Sequence, residues 1–387
     1  MKKKFIVLVN QPLNKSNLLR FEVNTKYQKI DKIFWCLLPL HNKKIFNKYN
    51  TKDFRSVKSK NFKIFDSYFE LFKEILKLKN NFYYLNWADG YKYNIFIESL
   101  LINRGGKKIF RFFTNINAGV EKLEKNVETL KKKRNYKIRY FLKSFKKYLL
   151  NFISIRPVLY FAESQLNFEQ LKNQGINPSK IIKINSFDFS EFRKKKKNKT
   201  IKQNIIFIDS NIEGSFESQL LGYKYKISMT KYWNVMEKIF KFYENKLNCK
   251  VIVASHFRRG TKDKPINRKF EFDETPKLIR DSKLILSHQS QALHWAVYFK
   301  KPIILIDFEN FDKISAYNSL LMNFYEKKLD LKRVRIDQNY NLELNTSMPN
   351  LKINKKKYNG FEKYFLSDPN DHTKEDVGWD TICKSLN

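Results

Sequence analysis

The chain reads as a mostly parallel α/β protein built in two units, and three observations predict this. Short apolar runs of strand length alternate with helical periodicities along the sequence. Several of those runs end on a polar or acidic residue just where a turn follows, as in Ile205–Ser210 (IIFIDS). At 387 residues the chain is also longer than one hydrophobic core usually serves, so two domains are expected. Hydrophobic residues make up 42%, which excludes wholesale disorder.

Taken in order, Lys4–Asn10 reads as the first buried strand. Its apolar run, Phe5 to Val9, is too short for the core of a signal peptide. Asp31–Leu40 reads as a second strand. Asp66–Lys79 has an acidic N-cap and helical apolar spacing. Asn81–Trp87 is the next strand, with Asp89-Gly90 in the turn before a helix over Tyr93–Gly105. Lys107–Asn115 and Pro157–Ser164 read as strands, and Phe168–Phe187 as helix, glycine stop and a last short strand. The basic run Arg193–Lys199 has no apolar residue and marks a linker. The expected division is therefore 1–192, a linker 193–203, a second α/β unit 204–370 and a helical tail 371–387. Within the second unit, strands end at Asp209 and His256, and a third (Leu284–Ser287) runs through a polar turn into a helix starting near Ser290. Pro302–Asp307 is a fourth strand, whereas Asp330–Lys357 is polar and weakly patterned.

Composition limits the partners. There are 77 Lys+Arg against 38 Asp+Glu, a formal charge of +39. Much of the excess is lysine beside Asn, Ile, Phe and Tyr, a set that A/T-rich codons also favour. Clustering argues for function: Lys131–Arg156 alternates cations with Tyr, Phe and Leu at helical spacing, which suits an anionic membrane surface. Nucleic acid is not the expected partner, because no helix-turn-helix, RNP, KH or zinc-finger signature is present. The three cysteines, Cys36, Cys249 and Cys383, lie far apart with no ligand spacing. They fit a reducing compartment without structural zinc. No run approaches the ~18 apolar residues of a spanning helix. A cytoplasmic protein held peripherally at the inner face of the membrane is expected.

Strand tips carrying Asp209, His256, Ser287 and His288 describe a crevice at the carboxyl ends of a parallel sheet, where α/β proteins bind ligands. A helix start near Ser290 would offer N–H groups to a phosphate. No GxGxxG, P-loop or GxSxG motif occurs, which removes the sharpest signatures of dinucleotide enzymes, P-loop nucleotidases and α/β-hydrolases. Asp-x-Asp is absent too; its nearest match is Glu271-x-Asp273. A metal-dependent sugar transferase is disfavoured, and neither metal nor cofactor is expected.

These residues carry a resemblance. Two Rossmann-like halves without a metal motif resemble the GT-B architecture of glycosyltransferases, with a cleft between the halves. Residues 204–310 are similar to bacterial surface-polysaccharide transferases that use CMP-activated keto-sugars such as Kdo and sialic acid. The shared series is FIDS at Asp209, Tyr232-Trp233, SHFR at His256, ETPKLI at Thr275, SHQSQA at His288 and Ser290, and Lys301-Pro302. Phe257 stands where that family has proline. The resemblance implies metal-independent transfer of an acidic keto-sugar from CMP to a glycan or lipid-linked glycan of lipopolysaccharide or capsule type. His256, Arg258, Thr275, Ser287, His288, Ser290 and Gln291 would hold the nucleotide. A carboxylate must act as nucleophile or base. Asp209 is preferred and Asp89, whose Asp-Gly context is similar to an inverting-transferase base, is the rival.

Bland readings stand beside these. Asp209 could cap a turn, His256 could be a satisfied edge histidine, and Ser287 to Ser290 could be ordinary caps. Tyr232 and Trp233 could be core, and His294, inside the helix, is read as structural. Arg259, next to Arg258, counts in favour of an anion at His256. A donor based on UDP or GDP, and a non-catalytic binder of nucleic acid or anionic surfaces, remain the alternative functions.

Overall fold

Apolar β-branched and aromatic runs fix two parallel sheets. The computed structural model describes residues 2–25, 27, 29–88, 94–112, 156–184, 204–212, 228–256, 259–308, 316–337, 339–342, 351–366 and 378–386. Its elements divide into two compact units.

The first unit contains strands β1 (Lys3–Val9), β2 (Ile30–Cys36), β3 (Phe62–Ile64), β4 (Phe82–Asn86), β5 (Gly106–Phe112), β6 (Leu159–Ala162) and β7 (Ile181–Lys183). They form one sheet in the order β3-β2-β1-β4-β5-β6-β7, every pairing parallel. Helices α1 (Lys15–Arg20), α2 (Leu38–Tyr49), α3 (Tyr68–Leu76), α4 (Asn94–Asn103) and α5 (Gln165–Asn173) connect the strands. Ser67 caps α3 by accepting from the Glu70 N–H at 3.2 Å, one residue later than the acidic cap expected. Leu71 and Ile75 of α3 and Ile97 and Leu101 of α4 pack with Ile6, Leu8, Trp35 and Tyr84 into one core on a single sheet face. The strand expected over Asp31–Leu40 ends at Cys36. Leu38-Pro39-Leu40 begins α2 instead, where proline costs nothing because first-turn N–H groups have no partner within the helix.

The second unit contains β8 (Asn204–Ile208), α6 (Met229–Leu247), β9 (Val251–Ala254), β10 (Phe270–Glu271), α7 (Thr275–Arg280), β11 (Ser282–Ser287), α8 (Leu293–Tyr298), β12 (Ile303–Phe308), α9 (Ala316–Leu329), β13 (Lys332–Ile336) and α10 (Lys355–Phe361). Its strand order is β10-β9-β8-β11-β12-β13, again wholly parallel. The long helix α6 lays Tyr232, Trp233, Met236, Ile239 and Phe240 on Phe207, Val253 and Leu286. Edge strand β13 lies in the stretch read as weakly patterned. Its KRVRI sequence buries only Val334 and Ile336, so it lacks the apolar run of a central strand.

The closing helix α11 (Gly378–Ser385) belongs to the first unit. Trp379, fully buried, meets Phe5, Phe34 and Trp87 with ring centroids 6.0, 5.8 and 5.2 Å away. Lys32 is buried beside it. It donates to the Phe21 carbonyl at 2.9 Å and sits 4.7 Å from the Trp379 ring, and burial pulls its pKa down to about 8. Arg111 and Glu163 form a buried ion pair in this unit, with Arg111 Nε donating to Glu163 at 2.6 Å.

Candidate functional site in the second unit

In each sheet the chain runs outward in one direction and then returns to the opposite side of its first strand. This makes a switch point between β1 and β4 in the first sheet and between β8 and β11 in the second. Crevices open at the carboxyl ends of such strand pairs because the loops leave in opposite directions. In the second unit the residues at that place are Asp209 and Ser210 after β8, and Ser287 to Gln291 at and after β11. Ser210 Oγ donates to the Gln289 carbonyl at 3.3 Å, tying the two tips across the switch point. His256 follows β9 on the other side of β8.

Asp209 lies at the floor of this edge and is buried. Arg259 Nε donates to its Oδ2 at 2.6 Å and Nη2 to its Oδ1 at 3.3 Å, a two-pronged pairing of planar groups. The Asn211 N–H donates to Oδ1 at 2.8 Å and the His256 N–H to Oδ2 at 3.3 Å. Asn211 takes a left-handed φ of 45°, which closes the tight turn that brings its N–H back to the carboxylate. Burial alone would raise the Asp209 pKa. The Arg259 charge and hydrogen bonds, with His256 and the Asn211 N–H, outweigh it and hold the group below the ordinary carboxylate value. Asp209 is therefore ionised, yet both oxygens are engaged, and a carboxylate so held is a poor nucleophile. Its visible work is to fix the backbone of His256. Arg259 is equally committed, with Nη1 donating to Asp263 at 3.0 Å and the guanidinium 5.6 Å from the Trp233 ring.

His288 departs from its expected role in the same way. Its Nδ1 is 2.7 Å from the Ile306 carbonyl, which can only accept, so Nδ1 carries the proton. Nε2 is then the acceptor for the Tyr232 hydroxyl, also at 2.7 Å. Burial drives its pKa down to about 4, against the opposing pull of the Ile306 carbonyl and the charges of Asp209 and Asp307. The ring is a neutral internal strut, packed between Phe207 and Phe308. It has no nitrogen left for a phosphate. Tyr232 and Trp233 are core residues, and His294 is buried in α8.

The other candidates are placed differently. His256 is half-buried at its strand tip. Ser290 is half-buried and Gln291 exposed in the turn, which gives way to α8 only at Leu293, three residues later than expected. Ser290 Oγ accepts from the Ala292 N–H at 3.2 Å. Ser287 is fully buried, and its hydroxyl, like that of Ser255 just after β9, has no hydrogen-bond partner among the described residues. Thr275 begins α7, as its position before Pro276 suggests. Arg258 and Asp89 lie outside the described residues, as do Lys131–Ile155 and the run Arg193–Lys199. The residue before Asp89 is described: the Ala88 carbonyl accepts from Asn10 Nδ2 at 2.8 Å, across the β1/β4 switch point of the first sheet. Among the described residues no group of three or more His, Cys, Asp or Glu side chains could hold a metal ion.

No family model matches the chain, and no curated protein matches it in sequence. Solved structures match it in fold. The wall teichoic acid polymerase TagF is 11% identical with a TM-score of 0.52, covering 100% of this chain and 88% of that one. The UDP-GlcNAc 2-epimerase of Methanocaldococcus jannaschii is 14% identical with a TM-score of 0.45, covering 99% of both chains. That of Neisseria meningitidis is 13% identical with a TM-score of 0.43, again covering 99% of both. Two wholly parallel Rossmann-like sheets in one chain, shared with TagF at this level, make this a two-domain α/β protein of GT-B type.

Proposed function

We propose that the chain is a glycosyltransferase that moves a sugar from a nucleotide donor onto a surface glycan. One observation carries this reading: in the second unit, candidate polar residues gather at the switch point of its sheet. In the second unit the half-buried His256 and Ser290 and the exposed Gln291 stand at the strand tips above a floor locked by Asp209 and Arg259. A floor of that kind holds donors still while the phosphate of a leaving nucleotide gains charge. The order of motifs from Asp209 to Pro302 favours a CMP-activated acidic keto-sugar. Sharing a fold with a protein named as a polymerase is consistent with transfer to a growing glycan. With both Asp209 oxygens engaged, the acid that activates the acceptor is assigned to Asp89, directly after Ala88. The acceptor is a lipid-linked glycan at the inner face of the membrane, reached from the cytoplasm.

A thermal-shift panel with CMP, UDP, GDP and single-stranded RNA tests the reading. CMP should give the largest stabilisation, and His256→Ala and Ser290→Ala should each weaken it about tenfold or more, the loss of one charge-assisted hydrogen bond. Asp89→Asn should abolish transfer and leave CMP affinity unchanged. A shift with UDP or GDP alone would support the other donor class. Stabilisation by RNA and by no nucleotide would overturn the enzyme reading.

A further inference from the structure

Helix α3 is apolar over more of its circumference than its sheet can cover. At about 100° per residue, Leu71 and Ile75 face the core, while Tyr68, Phe69, Phe72 and Leu76 form an adjacent stripe. Lys73, Glu70, Glu74 and Lys77 take the remaining arc. Phe69 is 71% exposed and Leu76 50%, and Phe96, on the neighbouring helix α4, is 62% exposed. Three exposed phenylalanines and a leucine on neighbouring helices exceed the scattered apolar residues that a free surface carries by chance.

Charge identifies what covers this stripe. Between Lys60 and Lys79 the chain carries five lysines and three acids. Lys73 lies 5.5 Å from the Phe69 ring, and Lys63 and Lys77 flank Glu74 at 2.5 and 2.8 Å. Beside the stripe lies a depression of about 430 Å³ lined by Lys63, Lys73 and Lys77, by Glu70 and Glu74, and by Ile64 and Phe65, so the lysines outnumber the acids there. A second copy of this chain would bring one protein of formal charge +39 against another. An anionic bilayer matches both features, drawing the lysines to its phosphates and taking aromatic rings at the headgroup level.

We infer that the outer face of α3, with Phe96, is the docking surface for an anionic lipid bilayer. This rests on the membrane-bound acceptor proposed above, but names a surface other than the basic segment Lys131–Arg156. Both α3 and α4 leave the carboxyl edge of the first sheet, the edge at which Ala88 lies. Docking through them keeps that edge near the lipid where the acceptor is anchored.

The test is co-sedimentation of the full chain with vesicles of phosphatidylcholine and phosphatidylglycerol in equal parts, and with phosphatidylcholine alone. The wild-type protein should sediment with the anionic vesicles only. Phe69→Ser, at the most exposed position, should weaken binding several-fold, and the triple variant Phe69→Ser/Phe72→Ser/Leu76→Ser should weaken it at least about tenfold. Urea denaturation and CMP binding, measured on the same preparations, show whether the variants are folded. A folded triple variant that binds like wild type overturns the α3 surface and leaves the membrane reading to another segment. Wild-type protein that sediments with neither vesicle overturns both, whatever its nucleotide affinity. A concentration-dependent dimer that the triple variant abolishes overturns the bilayer in favour of a second copy.

Discussion

Replacing Arg259 by methionine would leave Asp209 ionised at the floor of the site with no counter-charge. Both partners are buried, and three hydrogen bonds disappear: two to Asp209, at 2.6 and 3.3 Å, and one to Asp263 at 3.0 Å. Removing one member of a buried pair costs about 3–5 kcal/mol, because the remaining charge keeps its desolvation penalty. Against a domain stability of about 5–15 kcal/mol, that raises the unfolded fraction by roughly two to four powers of ten. Asp209→Asn should cost a similar amount. The amide must turn its NH₂ towards Arg259 and one backbone N–H, or towards the other pair, so two donors lose their acceptor either way. Urea unfolding followed by tryptophan fluorescence, to which Trp233 beside Arg259 contributes, reads this. The double variant Asp209→Leu/Arg259→Met should lose less than the two single losses added together, because neither charge is stranded. Single variants within about 1 kcal/mol of wild type would refute the argument. They would mean that the pair does not hold the floor, and would return Asp209 to the role of an accessible nucleophile.

Three further outcomes follow from the geometry. His288→Ala strands the Tyr232 hydroxyl and the Ile306 carbonyl inside the core, and should cost about 2–4 kcal/mol in urea. The same histidine sets a pH dependence. Its folded pKa of about 4 lies below the ordinary value near 6.5, so the unfolded chain binds the proton first. Its contribution is fully present above about 6.5 and falls away towards pH 4, by about 3 kcal/mol at most. His288→Gln should flatten that part of the stability profile, and an unchanged profile would count against a buried neutral ring. Gly106→Ala should destabilise by about 1–3 kcal/mol, because the added Cβ would lie 2.6 Å from Phe82 Cζ and 2.7 Å from the Leu101 carbonyl oxygen. A urea midpoint equal to wild type would show that the start of β5 yields.

The parallel sheets were legible because buried parallel strands are continuous apolar runs: Phe5–Val9, Ile205–Ile208 and Ile303–Ile306 need no periodicity to be seen. Two of the edge elements were not. β3 has three residues and β13 alternates cations with Val and Ile, so neither carries a central strand's signal. At the site, sequence order located the strand tips but could not say which polar residues face the crevice and which face inward. His288 and Ser290 are two residues apart and equally polar, yet one is a strut for Tyr232 while the other stands in the half-open turn. The Asp209–Arg259 pair spans fifty positions of sequence, a separation at which no local pattern links two residues. The only available hint was compositional: an acid ending a strand needs a partner if it is buried.

The helix that carries Trp379 has a consequence for how the chain is made. The first sheet is complete in sequence at Lys183, but the ring that fills the space between Phe5, Phe34 and Trp87 arrives only with Gly378–Ser385. At about 5–20 residues added per second, a ribosome needs roughly 10–40 s to pass from one to the other. During that interval Phe5, Phe34 and buried Lys32 lack their indole cover, and the second unit is synthesised whole. The nascent first half must wait, partly assembled and open to chaperones or proteases, while its sequel is read. A stop codon ahead of Trp379 would therefore injure the β1 and β2 part of the first unit, far from it in sequence.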